Sequence, residues 1–286
     1  MNIQEALESA ITLFQQKKIE SPELSAELLA AHVTGLSRAQ ILGDPSRPMS
    51  KEEDRDFNAL VARRAKCEPI AYLTGQIEFY SRTFKIIKGV FIPRPETEIL
   101  VEKALEDATR FQCPKILDVG TGTGCILIAM AHSLEDGEFH GTDISNTAIQ
   151  CAQLNVRDHD LINYATLHEG NMFQALRGSL INNFDVIVSN PPYIKSADIA
   201  SLPPDVRNFE PVACLDGGRE GLNFYRTFLD NVAPLLSPEG AICLEIDPSL
   251  KDPLFDLIKR KRVFSQPEVT KDLAGHDRVL RFGFNR

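Results

Sequence analysis

The residues best equipped for chemistry in this chain are Asn190-Pro191-Pro192-Tyr193. They follow residues 184–189, an apolar run that reads as a buried strand. Two prolines cannot extend that strand, because each lacks an N–H and fixes φ near −65°. The residue before a proline is itself held extended. The chain is therefore stiff where it leaves the sheet, with carbonyls that no neighbouring strand fully uses. The Asn190 side chain and the Pro191 carbonyl can grip an –NH2 group there, and Tyr193 offers a flat face to lie against it. Taken alone, the same residues also suit an ordinary strand exit punctuated by prolines.

A glycine-rich loop upstream favours the functional reading. Residues 115–119 form an apolar strand that runs into Gly120-Thr121-Gly122-Thr123-Gly124 and then a helical pattern through Ile126, Ala129 and Met130. Glycine permits tight turning and close approach of a ligand, and the following helix N-terminus offers unpaired N–H groups. A dinucleotide fingerprint would read G-x-G-x-x-G. Here Cys125 stands where that pattern wants its last glycine, and no Gly-Lys-Ser/Thr follows as a P-loop would require. The D-x-G-x-G-x-G form opened by Asp118 resembles the first motif of class I methyltransferases, which use S-adenosylmethionine. Asp143 ends the next strand, residues 138–143, 19 residues beyond Gly124. A carboxylate at that strand tip is placed to accept from ribose hydroxyls, although it can also cap the helix that starts near Ser145. A third strand, residues 165–169, leads into Asn171-Met172, where an adenine would rest.

Bulk composition narrows the class. The chain has 286 residues, 43% of them hydrophobic, and a formal net charge of −9. One large or two ordinary domains are expected. The acidic balance argues against a protein that grips long nucleic acids through their phosphates. The six cysteines contain no C-x-x-C pair and read as reduced, buried small residues rather than a zinc site or disulfide frame. The six histidines are scattered, without metal-ligand spacing. The first residues, Met1 to Glu5, lack a basic segment and a long apolar core, and no stretch approaches the ~18 apolar residues of a membrane helix. A cytoplasmic protein is expected, with no membrane partner.

The elements that must hold these loops follow from periodicity. Residues 1–75 read as a small all-helical domain, with Ile3, Ala6, Leu7, Ala10, Ile11 and Phe14 at helical spacing. Ser21-Pro22 suggests an N-cap followed by proline, and Ser50 with Glu53 a capping box. The helical part carries nine Lys/Arg and eleven Asp/Glu, so it is not a basic arm. Residues 79–91 alternate and suggest a β-hairpin, which places a linker at 76–92 and a second domain at 93–286. Helical spacing resumes after Pro93-Arg94-Pro95-Glu96, with Ile99, Leu100, Leu105 and Ala108 apolar. From residue 115 strands alternate with helices, which indicates a mostly parallel sheet. Later strands are expected at 240–246, near 263–269 and at 278–284, the last two as an antiparallel hairpin on one edge. Residues 195–221 show no periodicity, and long loops of this kind are usually functional. They are a candidate lid.

Taken in order, Glu68-Pro69-Ile70-Ala71-Tyr72-Leu73-Thr74-Gly75, Phe91-Ile92-Pro93-Arg94-Pro95-Glu96-Thr97-Glu98, the glycine loop and Asn190-Pro191-Pro192-Tyr193 closely resemble the HemK/PrmC family, over roughly residues 68–285. These are methyltransferases of the glutamine side-chain amide in peptide chain release factors. The resemblance implies an α/β fold of the class I S-adenosylmethionine-dependent type: a Rossmann-like, mostly parallel seven-stranded sheet with an antiparallel C-terminal hairpin, plus the N-terminal helical domain in substrate recognition. It implies that Gly120, Thr121, Gly122, Thr123, Gly124, Asp143, Asn171, Met172 and Asn190 bind S-adenosylmethionine. Asn190, Pro191, Pro192 and Tyr193 would hold the target glutamine, with Asn190, Pro191 and Tyr193 catalytic. Related enzymes usually carry Asp where Asn171 stands, so the adenine contact departs from the pattern. The partner implied is the Gly-Gly-Gln loop of a bacterial-type release factor, with no stable nucleic-acid binding and no metal. The chief alternative is an adenine-N6 methyltransferase of DNA or RNA, which shares the tetrapeptide but not the Pro-Arg-Pro-Glu-Thr-Glu run. A nucleotide-binding module without catalysis is the other.

Overall fold

A computed structural model of the chain describes residues 1–176 and 182–285. The chain divides into two compact units, Met1–Gln76 with Pro203–Phe209, and Ile77–Leu202 with the segment from Glu210 onward. The first unit holds α1 (Ile3–Gln16), α2 (Pro22–Thr34), α3 (Arg38–Gly43), α4 (Lys51–Arg64), α5 (Ile70–Thr74) and the later short helix α9 (Pro204–Phe209). Its core gathers Ile3, Ala6, Leu7, Ala10 and Phe14 of α1 with Leu29, Ile41, Phe57 and Val61, so the apolar stripe read from spacing is the buried one. Ser50 and Glu53 form the expected capping box. Ser21 does not cap: it takes a left-handed conformation with φ of 48°, and its side chain bonds no N–H of α2, although Pro22 does open the helix.

The second unit is a seven-stranded sheet in the order β5-β4-β3-β6-β7-β9-β8. Its strands are β3 (Lys115–Val119), β4 (Glu138–Asp143), β5 (Ala165–Glu169), β6 (Phe184–Ser189), β7 (Leu236–Glu245), β8 (Glu268–Lys271) and β9 (Asp277–Gly283). β3 to β7 run parallel, and β9 and β8 complete the edge antiparallel. The helices α6 (Glu98–Ala108), α7 (Cys125–Ser133), α8 (Asn146–Asp158), α10 (Asn223–Asn231) and α11 (Lys251–Lys261) cover it. One core cluster joins α6 and α7 to Ile116, Val186 and Val188. The other joins α10 and α11 to Leu117, Ile187 and Leu244. Alternate residues of β3 and β6 thus feed opposite faces, as strand geometry requires.

Three strand boundaries differ from the periodicity. The hairpin before the sheet is β1 (Gln76–Phe79) with β2 (Arg82–Lys85), not residues 79–91. Its turn, Tyr80-Ser81, holds φ at 49° and 57°, the left-handed pair that normally selects Asn-Gly, so no turn signal marks it. The run near 263–269 yields a strand only from Glu268, because Pro267 cannot donate to a ladder; Phe264 makes an isolated bridge to Phe284. β7 begins at Leu236, ahead of the expected residue 240, and passes Pro238 through a register shift opposite β6. The cysteines also differ from expectation. All six are free thiols, but only Cys125, Cys151 and Cys243 are buried, while Cys113 is exposed. Among the described residues no helix is long and apolar enough to cross a membrane.

One side chain ties three segments of this unit together. Asn155 of α8 is 1% exposed. Its Oδ1 accepts from the Lys85 N–H at 2.7 Å, and its Nδ2 donates to the carbonyls of Lys85 at 3.0 Å and Thr123 at 2.9 Å. It therefore fixes the hairpin to α8 and supports the glycine loop from behind. Asn155→Ala leaves these groups without that partner, and each buried orphan costs about 1–3 kcal/mol. A loss of at least ~2 kcal/mol in urea unfolding is expected; a loss under ~0.5 kcal/mol, the level of a neutral surface change, would contradict this role.

Candidate active site

The sheet order places β3 between β4 and β6, so consecutive connections leave its carboxyl end in opposite directions and open a crevice there. A cavity of about 240 Å³ occupies that crevice. Its walls are the loops at the strand ends: Gly120 to Thr123 after β3, Asp143 to Ser145 after β4, Asn171 and Met172 after β5, and Asn190, Pro191 and Pro192 after β6. Of the residues singled out in the sequence, Gly124 and Tyr193 do not line it. Gly124 is the N-cap of α7 with φ of 80°, and a Cβ there would come within 3.3 Å of Ala152, so its glycine serves packing.

The glycine loop is held by hydrogen bonds to the end of β4. The Gly120 and Thr121 N–H groups both donate to the Thr142 carbonyl, at 2.8 and 2.9 Å. The Gly122 N–H donates to Asp143 Oδ2 at 2.9 Å. Gly120 and Gly122 hold φ of 79° and 57°, and a Cβ at either would meet no protein atom within 4 Å. Backbone conformation demands glycine at both, and the space beside them is open to a ligand. Asp143 Oδ1 meanwhile accepts from the Ser145 N–H at 2.8 Å, but the N-cap of α8 is Ser145, whose side chain accepts from the Ala148 N–H, so Asp143 steadies the residue that caps the helix and does not cap it itself. Each of its oxygens keeps a second lone pair for a hydroxyl. Burial pushes its pKa above the usual carboxylate range, against the pull of the Ser145 and Gly122 N–H groups. Ile144 beside it is 69% exposed and lines the cavity. A ribose-sized diol at Asp143 and a flat base against Ile144 and Met172 would fit these walls.

More of the lining comes from the Pro-Arg-Pro-Glu-Thr-Glu run, which served only as a family signature, and from the 195–221 segment, expected as a candidate lid. Within the Pro-Arg-Pro-Glu-Thr-Glu run, Arg94 pairs with the buried carboxylate of Glu210, which also accepts from the Ile92 N–H at 3.2 Å. That pair fastens the far end of the 195–221 segment beside the cavity, where Pro211, Ala213 and Cys214 line it. The segment is also stapled at its base, with Ile194 N–H to the Leu215 carbonyl at 2.9 Å and Gly217 N–H to the Ile194 carbonyl at 2.8 Å. It contains α9, so the expectation of a stretch without regular structure is corrected.

Thr97, from the same run, is 2% exposed and reaches the tetrapeptide. Asn190 Nδ2 donates to Thr97 Oγ1 at 2.9 Å, and Thr97 Oγ1 donates to Glu245 Oε2 at 2.7 Å. The Tyr193 hydroxyl donates to Glu245 Oε1 at 3.3 Å. Burial pushes Glu245 up to about 7, against the Thr97 hydroxyl and the Arg278 guanidinium. Periodicity could not reveal these partners, since Thr97 and Glu245 are separated by 148 residues. The one available signal was an acidic residue closing an apolar strand.

The sequence has relatives. Residues 5–75 match the family model described as the PrmC N-terminal domain, and residues 113–278 match one described as a methyltransferase domain. A release factor glutamine methyltransferase of Moorella thermoacetica is 37% identical over 98% of this chain and 98% of its own length. The chain belongs to the release factor glutamine methyltransferase family. A second member, from Geobacter sulfurreducens, is 37% identical over 93% of this chain and 90% of its own length. In fold alone, the unit resembles the human methyltransferase 10 domain containing protein, with a TM-score of 0.53 and 15% identity over 72% of this chain and 90% of that one. The class I methyltransferase fold expected from the motifs is thus the fold observed.

A further carboxylate lies at the root of the loop. Asp118 is fully buried; one oxygen accepts from the Thr121 hydroxyl at 2.7 Å, while Oδ1 has no partner among the described residues. Burial pushes its pKa from 3.8 up to about 7. The folded protein then holds a proton that the unfolded chain releases, so stability from this group falls as pH rises between those values. Asn carries no such proton. The melting temperature of ligand-free Asp118→Asn, relative to the parent, should rise from about pH 5 to about pH 8. A difference that stays constant or falls over that range would contradict the assignment.

Proposed function

We propose that this protein transfers the methyl group of S-adenosylmethionine to the side-chain amide nitrogen of the glutamine in the Gly-Gly-Gln loop of bacterial-type release factors. The observation that carries the reading is the convergence of the glycine loop, Asp143 and Asn190-Pro191 on one cavity. Gly120 to Thr123, Asp143, Asn171, Met172 and Asn190 would hold the cofactor, with Asp143 at the ribose and Met172 at the adenine. When bound, the cofactor supplies an electrophilic methyl group on a cationic sulfur.

The chain's own residues then have one task, to place a weak nucleophile. An amide nitrogen is unreactive because its lone pair is delocalised into the carbonyl. The Asn190 oxygen and the Pro191 carbonyl each accept one of its N–H bonds, which turns the lone pair toward the methyl group. Pro192 stiffens the wall, and Tyr193, outside the cavity lining, anchors the end of the tetrapeptide through its hydroxyl bond to Glu245. Orientation of this kind can remove ~7–11 kcal/mol from a bimolecular barrier. The nitrogen becomes acidic once methylated and loses its proton afterwards, so no strong base need touch it. Glu245, the nearest buried carboxylate in the network, stands behind Thr97 and does not face the target. A substrate used in translation termination places the activity in the cytoplasm.

The helical part, residues 1–75, is proposed to recognise the release factor, because every cavity-lining residue lies at or beyond Gly89. Deleting it should leave cofactor affinity within about threefold, by calorimetry, and lower kcat/KM on intact release factor at least about tenfold; unchanged kcat/KM would contradict the assignment.

Two substitutions separate the roles of the cavity. Asn190→Ala should slow single-turnover methylation at saturating cofactor at least about a hundredfold, ~2.7 kcal/mol of transition-state stabilisation. Asp143→Ala should weaken cofactor binding about tenfold or more, in keeping with ~1.5–3 kcal/mol for a bond to a carboxylate. A folded Asn190→Ala protein with the parental rate, or methyl transfer to nucleic acid instead of release factor, would overturn the reading.

A further inference from the structure

We propose that Thr97 and Glu245 are positioning residues that fix which end of the Asn190 side-chain amide meets the target, and so make the site select a primary amide over a carboxylate. The inference rests on the reading that Asn190 receives the target side chain.

Glu245 closes β7 and is 1% exposed. An ionised carboxylate only accepts hydrogen bonds. A threonine hydroxyl has a single hydrogen, and Thr97 spends it on Glu245 Oε2 at 2.7 Å. Toward Asn190 it can then only accept, so the atom 2.9 Å away must be the donor, Nδ2. The side-chain amide is planar, and with Nδ2 held at Thr97 its oxygen is directed away from Thr97. The Tyr193 hydroxyl donates to the second oxygen of Glu245, at 3.3 Å, and the Tyr225 hydroxyl to its backbone carbonyl, at 2.7 Å. Every donor around Glu245 is thereby committed in one direction.

The consequence is a pair of acceptors, Asn190 Oδ1 and the Pro191 carbonyl, presented to the target. A primary amide brings two N–H donors and satisfies both. A carboxylate brings only oxygens and would set lone pairs against lone pairs, a repulsive element that discriminates more sharply than a missing contact. If Glu245 is neutral, it can donate to Thr97 instead. Thr97 then has a hydrogen for Asn190 Oδ1, and the amide can turn over and present its –NH2. Selectivity is therefore tied to the ionisation of Glu245. The groups facing it are Thr97 and Glu96 before α6, Tyr193, Tyr225 of α10, and Arg278 of β9. Glu96 pushes its pKa up and Arg278 draws it down. Arg278 is itself held by Asp272, its Nη2 donating at 3.0 Å. Among the described residues Glu245 has no cation at hydrogen-bond distance, and a buried carboxylate of that kind is a poor device for stability, which leaves orientation as its use.

The test uses the full-length protein and two release factors, one with the target glutamine and one with glutamic acid in its place. Single-turnover methylation of the first, and competitive inhibition by the second, are measured for the parent, Thr97→Val, Thr97→Ser and Glu245→Gln. Thr97→Val keeps the shape and removes the hydroxyl. It should lower the rate about thirtyfold or more and bind the glutamic acid form at least as tightly as the glutamine form. Thr97→Ser, which keeps the hydroxyl, should return the rate to within about threefold of the parent and restore the preference for glutamine. The parent rate should fall as pH drops through the ionisation of Glu245, and that acid limb should be missing in Glu245→Gln. A Thr97→Val protein with the parental rate and the parental preference would overturn the inference, as would a Thr97→Ser protein as impaired as Thr97→Val. If Glu245→Gln fails to fold, the two Thr97 variants decide the matter. Failure of the parent itself to methylate the release factor would instead remove the functional reading beneath it, an outcome separable from these because it appears before any variant is compared.

Discussion

β3 and β6 lie side by side in a parallel register, Leu117 opposite Ile187 and Asp118 opposite Val188, and the site depends on that pairing. It brings the loop that follows Val119 and the tetrapeptide that follows Ser189 to the same edge of the sheet. Ser189 Oγ donates to the Val119 carbonyl at 2.6 Å, which locks the two strand ends together. A slip of one residue would send Leu117 and Ile187 to the wrong face. The two core clusters, one built on Ile116, Val186 and Val188 and the other on Leu117 and Ile187, forbid that slip. The hydrophobic core thus does more than hold the sheet: it sets the distance between the part of the cavity that suits a nucleoside and the part that suits an amide.

Around that edge the protein places two buried acids, Asp118 and Glu245, and a partly buried one, Asp143, on the cavity. Asp118 and Glu245 are both pushed up to about 7, and Asp143 is raised as well. Burying a carboxylate costs free energy unless partners compensate. Here the partners are hydroxyls and backbone N–H groups, not cations in direct contact. With Glu245 ionised the network around it is directional, because the Thr97 and Tyr193 hydroxyls both donate toward its carboxylate. Directionality of this kind suits a reaction that needs a nucleophile aimed and not activated.

Much of the fold was legible in the sequence because its parallel strands are short apolar runs bounded by turn residues. Residues 115–119, 138–143, 165–169 and 184–189 coincide with β3, β4, β5 and β6. The glycine loop, Asp143 and Asn190 were legible because unusual residue types stand there in fixed local spacing at strand ends. The turn at Tyr80-Ser81 was hidden, since neither residue is one that usually accepts positive φ. Thr97, Glu210 and Glu245 were hidden for a different reason. Their meaning lies in partners far away in sequence, Glu210 with Arg94 across 116 positions and Glu245 with Thr97 across 148, and no local pattern carries a contact of that range. The Pro-Arg-Pro-Glu-Thr-Glu run was recognisable as a signature, but the sequence did not say why. In the structure Arg94 pairs with Glu210 of the 195–221 segment, and Thr97 accepts from the Asn190 side chain.

The central claim is that the cavity delivers a methyl group to a glutamine amide nitrogen in a release factor. The most direct measurement is fragmentation mass spectrometry of a purified bacterial-type release factor after incubation with this protein and isotope-labelled S-adenosylmethionine. The account predicts one labelled methyl group, located on the side-chain nitrogen of the glutamine in Gly-Gly-Gln and absent when that glutamine is replaced. A release factor that remains unlabelled, or a label on another residue, would contradict it.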